Sequence, residues 1–320
     1  MGLIVAGKWV DQWYDTKKSD GKFVRQDSMF RHSISDEADS LFPIEAGRYH
    51  LYVSLACPWA HRTLIFRQLK QLESIISVSI VRPEMLENGW EFDTKDSSPY
   101  TDPLYQFNYA YQLYLKSNPE YEGRVTVPIL WDKKTARIVN NESVDIIRIF
   151  NSAFNSLTGN TDDYFPVALR DDIEQVNQRI YDTVNNGVYK AGFATTQEAY
   201  NGAYTKLFDT LDWLEERLSK QRYLVADQLT EADWRLFTTL IRFDAIYHGH
   251  FKCNKAKLSE YHHISHYLRE LYQVPGVSDT VDIEYSKIHY YASHDTINPT
   301  LIVPLGPEQN FAASHDRAKF

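Results

Sequence analysis

Cys57 is followed by Pro58, Trp59, Ala60, His61 and Arg62, and the residues on either side decide what its thiol can do. Upstream, Arg48 to Leu55 alternates Tyr49, Leu51, Val53 and Leu55 with His50, Tyr52 and Ser54, the two-residue period of a strand. Downstream, Pro58 suits the first turn of a helix, where an N–H would have no intrahelical partner, and Leu64, Ile65, Leu69 and Leu72 follow at helical spacing. The spacing therefore puts Cys57 at a helix N-cap, facing unpaired amides and the positive end of the helix dipole, which favours thiolate over thiol. The plain alternative is a small buried hydrophobe without chemistry. Strand, cysteine, proline and helix in succession favour the reactive thiol. Ala60 stands where a second cysteine of a dithiol motif would be, so redox chemistry here is monothiol and draws its second sulfur from a small molecule.

The elements that must hold this cysteine can be read outward from it. Ile76, Val78 and Ile80 alternate with polar residues between Ile75 and Val81, a second strand, and two strands around one helix make a right-handed βαβ unit. A long excursion from Pro83 to Gly123 carries Asn88-Gly89-Trp90 and a predicted helix from Leu104 to Lys116. The chain returns through Arg124-Val125-Thr126-Val127-Pro128-Ile129-Leu130-Trp131, where Pro128 ends one segment and begins another because it cannot donate to a ladder. With a cis bond there, the Val127 backbone would be open to pairing with an extended peptide. After a short strand at Arg137 to Asn140, Asn141-Glu142-Ser143 opens a helix through Ile146, Ile147 and Phe150. Its first amides and Ser143 suit a carboxylate, or Ser143 merely caps the helix.

Length and composition predict two domains after an irregular N-terminal arm: residues 1–44 as the arm wrapping the first domain, 45–155 as an α/β domain, and 165–320 as an all-helical domain with a C-terminal extension. Asn, Ser, Thr, Gly and Asp dominate residues 151–164, a linker composition. Helical patterns then run over 169–189, 197–219, 231–247 and 258–272, the third opened by a capping box of Thr230 and Asp233 with Leu229 and Trp234 as a staple. A net charge of −9 gives no electrostatic case for nucleic acid or an anionic membrane surface. Two cysteines make no disulfide framework and suit a reducing cytoplasm; neither a signal peptide nor a membrane-spanning run is recognisable. The 22 tyrosines and 7 tryptophans suit a cleft for flat rings, and equally suit helix packing. His248, His250 and Cys253 form one cluster that could suggest a metal, and His262, His263 and His266 another. Neither has a second cysteine pair or a nearby carboxylate set, so no metal site is expected.

Cys57-Pro58-Trp59-Ala60-His61-Arg62, Asn88-Gly89-Trp90, Arg124 to Pro128, Asn141-Glu142-Ser143, Val188 to Ala194, Arg242-Phe243-Asp244 and Ile297-Asn298-Pro299-Thr300 occur in that order along the chain. Together they resemble the glutathionyl-hydroquinone reductases, the Xi class of glutathione transferases, over about residues 45 to 307. The resemblance implies an α/β plus all-α fold: a thioredoxin-like N-terminal domain with a mixed sheet, then the all-helical glutathione-transferase C-terminal domain. It implies that Cys57 is the nucleophile and that Trp90, Arg124, Val125, Thr126, Val127, Glu142 and Ser143 contact glutathione. The Val127 backbone would grip the cysteinyl part, and the Glu142-Ser143 turn the γ-glutamyl end. Tyr189 matches the proton donor or acceptor at the phenolic ring, and Tyr247 and Tyr290 match tyrosines that lower the thiol pKa. Ala245-Ile246, ahead of Tyr247, departs from the family pattern.

The implied reaction is glutathione-dependent reduction of glutathionyl-hydroquinones through a Cys57–glutathione mixed disulfide, with release of glutathione disulfide. Glutathione is then a co-substrate, no cofactor is tightly bound, and a cytoplasmic homodimer is expected. Attack on the glutathionyl sulfur needs an electron-accepting carbon, which the ketone tautomer of the hydroquinone supplies; Tyr189 could move that proton. A second glutathione resolves the mixed disulfide. A general thioltransferase or dehydroascorbate reductase also needs the cysteine, although three tyrosines favour an aromatic substrate. A non-catalytic, transferase-like interaction subunit would find Cys57 dispensable.

Overall fold

The computed structural model describes residues 2–95 and 97–320. They divide into two units, one of Met1–Trp13, Gln26–Asp162 and Glu284–His289, the other of Tyr14–Arg25, Asp163–Ile283 and Tyr290–Phe320. The strands, all in the first unit, are β1 (Leu3–Val5), β2 (Lys8–Val10), β3 (Tyr49–Val53), β4 (Ser77–Ile80), β5 (Met85–Leu86), β6 (Gly89–Trp90), β7 (Gly123–Arg124), β8 (Ile129–Asp132) and β9 (Arg137–Asn140).

A mixed sheet in the order β4-β3-β8-β9 forms the core of the first unit, with β3 parallel to β4 and antiparallel to β8. Every residue of β3 is buried, although its sequence alternates. The polar members are satisfied inside: His50 meets the Ser77 and Ser79 hydroxyls of β4 at 2.7 and 2.9 Å, and Tyr52 donates to Asp102 at 2.9 Å. Helix α1 (Pro58–Leu69) follows β3, as the alternation and Pro58 imply, and packs against α3 (Ser143–Ser152), which follows β9. Between them α2 covers only Tyr111–Ser117, shorter than the spacing from Leu104 suggests. The Asp102 carboxylate accepts the amides of Leu104, Tyr105 and Phe107 at 3.1, 3.2 and 3.1 Å, which holds that stretch in turns. The N-terminal stretch is not wholly irregular either. It opens with the hairpin of β1 and β2, and β1 pairs with β7, whereas Tyr14–Arg25 falls within the second unit.

After the short α4 (Asn155–Thr158), the second unit comprises α5 (Arg170–Ile180), α6 (Gly187–Gly192), α7 (Gln197–Leu218), α8 (Glu231–Arg242) and α9 (His262–Tyr272). All twelve residues of α8 are buried, so it is the unit's central helix. It starts at the Thr230–Asp233 capping box, where Asp233 accepts the Thr230 amide at 2.8 Å. Two single π-helical turns interrupt the expected helices, Tyr181–Asn185 after α5 and Phe243–Tyr247 after α8. In the first, the Asn185 amide reaches α8 and donates to Arg235 O and Thr239 Oγ1 at 2.9 and 2.8 Å. In the second, the Asp244 carboxylate accepts the amides of Leu258 and Ser259 at 2.6 and 3.1 Å. Each turn is thus held open by one polar side chain that bonds outside its own helix.

A further helix, α10 (Ile283–Ser293), lacks an apolar stripe and escapes a periodicity reading. It buries Tyr285, Ser286, Lys287, His289 and Tyr290 instead. No helix of the described residues is long and apolar enough to cross a membrane.

Candidate active site

In the first unit, Cys57 caps α1 with extended backbone (φ −77°, ψ 115°), and Pro58 is the first helical residue. The thiol is half-buried, and Sγ lies 3.5 Å from the Val127 carbonyl oxygen, to which an S–H can donate. The Val127–Pro128 peptide is cis, and the Val127 amide bonds to no backbone carbonyl among the described residues. The cysteine and a backbone segment with an unpaired amide therefore meet side by side.

The turn into α3 rules out the alternative in which Ser143 merely caps the helix. Glu142 is the N-cap, and its Oε1 accepts the Val144 amide at 3.2 Å. Ser28 donates to the second carboxylate oxygen at 3.1 Å. Ser143 opens the helix, and its hydroxyl accepts from Arg62 at 3.4 Å. Arg62 itself is fully buried, with its guanidinium 4.5 Å from the Trp59 ring centroid. Arg62 and Trp59, both from the cysteine's motif, thus brace the start of α3.

Trp90 ends β6 and stacks on His289, centroids 5.0 Å apart. His289 is oriented by its Nδ1 contact to Pro83 O at 2.8 Å. The indole Nε1 of Trp90 is buried and has no hydrogen-bond partner among the described residues, so an acceptor from a ligand would complete it. Arg124 donates to the carbonyls of Gln12 and Trp13, so its side chain fastens the N-terminal segment. Thr126 is held by Tyr114, whose hydroxyl donates to the Thr126 carbonyl at 2.8 Å, and Val125 is buried.

The second unit brings together three tyrosines far apart in sequence. Tyr189 lies on α6 one turn after the first π turn, Tyr247 closes the second, and Tyr290 sits on α10. Their hydroxyls form a chain: Tyr290 Oη is 2.5 Å from Tyr189 Oη and 3.1 Å from Tyr247 Oη. Burial, then the neighbouring Tyr189 and Tyr247 oxygens, hold the Tyr290 phenol well above its usual pKa, so it stays protonated. A neutral hydroxyl between two others can donate to one and accept from the other, which makes the three a continuous hydrogen-bonded chain. Tyr247 is buried, and Tyr189 is the partly exposed end.

Phe23, Phe193 and Phe251 wall this cluster, with centroids 6.4, 6.1 and 5.5 Å from Tyr189. The Arg25 guanidinium stands 5.1 Å from the Tyr189 ring centroid and donates to Asn186 at 3.2 Å. His250 pairs with His294 at 3.0 Å, and Cys253 is fully buried, so the His248-His250-Cys253 spacing has a packing explanation.

A model of the glutathione S-transferase N-terminal domain matches residues 56–153, and one of the C-terminal domain matches residues 197–270. Glutathionyl-hydroquinone reductase YqjG of Escherichia coli K12 is 54% identical over 323 residues, covering 99% of this chain and 98% of that protein. The chain belongs to the glutathionyl-hydroquinone reductases. Its similarity to glutathionyl-hydroquinone reductase PcpF of Sphingobium chlorophenolicum is 53% over 97% of each. Among solved structures, glutathione-bound YqjG matches 91% of this chain and 97% of its own with a TM-score of 0.88. The Xi-class transferase of Natrialba magadii, 43% identical, matches 100% and 97% with a TM-score of 0.92. The fold is accordingly thioredoxin-like in its first part and transferase-like all-helical in its second.

For this reductase-family member, the structure brings Cys57 to Val127, Glu142 to Ser143, and Tyr189 to Tyr290 and Tyr247. Trp90 and Arg124 stand in separate neighbourhoods, against His289 and the Gln12–Trp13 carbonyls. Sequence reasoning missed Arg62, Ser28 and His289 as supports, and Phe23, Arg25 and Phe251 around the tyrosines. Arg62 alone carried a signal, lying one helical turn beyond Pro58.

Proposed function

We propose that this chain, an enzyme of the glutathionyl-hydroquinone reductase family, reduces glutathionyl-hydroquinones with glutathione by a monothiol mechanism at Cys57. The observation that carries the reading is the half-buried Cys57 Sγ at a helix start, 3.5 Å from the Val127 carbonyl beside an unpaired amide. Backbone pairing at Val127 would position the cysteinyl part of a glutathionyl group. The α3 start at Glu142 and Ser143 would take its γ-glutamyl end, with Trp90, Arg124, Val125 and Thr126 completing the site.

The Cys57 thiolate attacks the glutathionyl sulfur of the ketone tautomer, forming an S–S bond as the sulfur–carbon bond breaks. Its electron pair passes through the ring to the ketone oxygen, which takes up a proton, while the ring carbon keeps the hydrogen it gained on tautomerisation, giving the hydroquinone. A second glutathione thiolate attacks the glutathione sulfur of the mixed disulfide, releasing glutathione disulfide and restoring the Cys57 thiolate. The sum is glutathionyl-hydroquinone plus glutathione giving hydroquinone plus glutathione disulfide. Tyr189, backed by Tyr290 and Tyr247, transfers the phenolic proton that interconverts the two tautomers. We infer further that the enzyme works as a cytoplasmic homodimer without a tightly bound cofactor, as the resemblance implies.

The test is mass spectrometry after mixing the enzyme with a glutathionyl-hydroquinone in the absence of free glutathione. One glutathione adduct is expected on Cys57, with one equivalent of free hydroquinone. Cys57→Ser should bind glutathione and turn nothing over; full activity in that variant would exclude the mechanism. Turnover of dehydroascorbate exceeding that of the glutathionyl-hydroquinone would assign the general thioltransferase role instead.

A further inference from the structure

We propose that His262, His266 and Asp316 form a binding site for a divalent first-row cation of the zinc type, which clasps the C-terminal segment to α9. His262 and His266 are four residues apart on α9, with ring centroids 4.4 Å from each other. Asp316 arrives from the far end of the chain: its Oδ2 is 3.1 Å from His262 Nε2 and its Oδ1 is 2.8 Å from His266 Nδ1. The three donor atoms all lie within 4.8 Å of one another, and among the described residues they are the group able to hold an ion. Two imidazoles and one carboxylate are borderline ligands that suit Zn²⁺, with water in the fourth position. The sequence argued against metal at these histidines because neither a second cysteine pair nor a nearby carboxylate set accompanies them; folding brings Asp316 to two of them.

The carboxylate is not delivered by a loose tail. Arg317 is fully buried, and its guanidinium donates to the carbonyls of Leu218, Gln221 and Arg222, each at 2.6 Å. On the other side, Gln273 donates to Phe311 O and Ala313 O at 3.0 and 2.8 Å, and Arg269 to Ser314 O at 3.2 Å. Backbone fixed on both flanks pre-sets Asp316 over the two rings, which lowers the cost of assembling a ligand set.

The cluster also contains a repulsion that a cation relieves. His266 Nδ1 is approached both by the Asp316 carboxylate at 2.8 Å and by the Asp316 amide N–H at 3.1 Å. A proton on Nδ1 opposes the amide; a bare lone pair opposes the carboxylate. A cation bridging Nδ1 and Oδ1 turns the second repulsion into two ligand bonds, and the Asp316 amide then gives up the Nδ1 lone pair to the cation. Lys319 Nζ, 2.7 Å from Asp316 Oδ2 and about half exposed, supplies part of that positive charge and competes for the site.

The experiment is isothermal titration of ZnCl₂ and CoCl₂ into the full, untagged chain with Cys57 alkylated, paired with hydrogen exchange over residues 311–320. One equivalent of cation and slowed exchange in that segment are expected. His262→Ala and His266→Ala should each weaken binding by at least about tenfold. Lys319→Gln should tighten it several-fold by removing a like charge. His262 is exposed, so His262→Ala should leave the metal-free melting temperature unchanged. Equal affinity in the His262→Ala/His266→Ala double variant overturns the site, as does the absence of uptake by the wild type at about 1 mM cation.

Discussion

The Tyr290 hydroxyl oxygen lies 2.5 Å from that of Tyr189 and 3.1 Å from that of Tyr247, so one buried phenol joins two others into a single hydrogen-bonded path. Tyr290→Phe breaks the path while leaving the ring in place. The turnover number for a glutathionyl-hydroquinone should fall by about 10² to 10⁴-fold, the usual worth of positioned proton transfer. The pH dependence of Cys57 alkylation separates the two roles open to this tyrosine. An unchanged alkylation profile assigns it to the phenolic proton, and a profile moved to higher pH assigns it to the thiol, as the family resemblance implies.

Cys57 is half-buried at a helix start, whereas Cys253 is fully buried and its thiol is pushed up by desolvation. Iodoacetamide at neutral pH should therefore label Cys57 and spare Cys253, as peptide mapping would show. Modification of Cys253 at a comparable rate in the folded protein would contradict this assignment.

Gly192 is packed against Phe251 so closely that a Cβ placed on it would lie 2.2 Å from two ring carbons. Phe251 stacks on Tyr247 at 5.6 Å and meets Tyr189 edge-on at 5.5 Å, so the ring cannot withdraw without moving both tyrosines. Gly192→Ala should destabilise the protein by about 1–3 kcal/mol, the usual cost of overpacking, measured by chemical denaturation. Turnover should fall more than glutathione affinity does. Gly202 faces open space, and Gly202→Ala serves as the control that should keep full activity.

His50 is buried between Ser77 and Ser79, and burial lowers its pKa from the usual 6.5 to about 3. The unfolded chain takes up this proton below about pH 6.5, while the folded chain does so only near pH 3. The His50 contribution is therefore complete above about pH 6.5 and is lost progressively as pH falls toward 3. Replacing His50 with Gln should flatten the acid side of the stability curve by up to about 1.4 kcal/mol per pH unit. Urea unfolding of both proteins between neutral and acid pH measures the difference; parallel curves would remove His50 from the account.

Much of the surroundings of Cys57 was legible in the chain because it depends on local chemistry. A strand alternation, a cysteine and a first-turn proline specify a helix start, and Thr230 with Asp233 specifies another, from short-range sterics and hydrogen bonding alone. The motif set from Cys57 to Thr300 carried the family, and with it the tyrosines. Where a residue's neighbours were distant in sequence, local pattern was silent or misleading. Asp102 holds back the start of α2 by accepting amides of the loop before it. The helix of Tyr290 has no apolar stripe, because what it buries is polar.

The sequence by itself determined that Cys57 sits at a helix start, which segments are strand or helix around it, and the family to which the chain belongs. Only the tertiary structure decided that hydroxyls at positions 189, 247 and 290 touch, that Glu142 rather than Ser143 caps its helix, and that Asp316 closes on two histidines of α9. Backbone periodicity and capping act over a few residues, so they can be read from neighbours in the chain. Side chains brought together across fifty or a hundred positions depend on how whole elements pack, and that information is spread over the entire core.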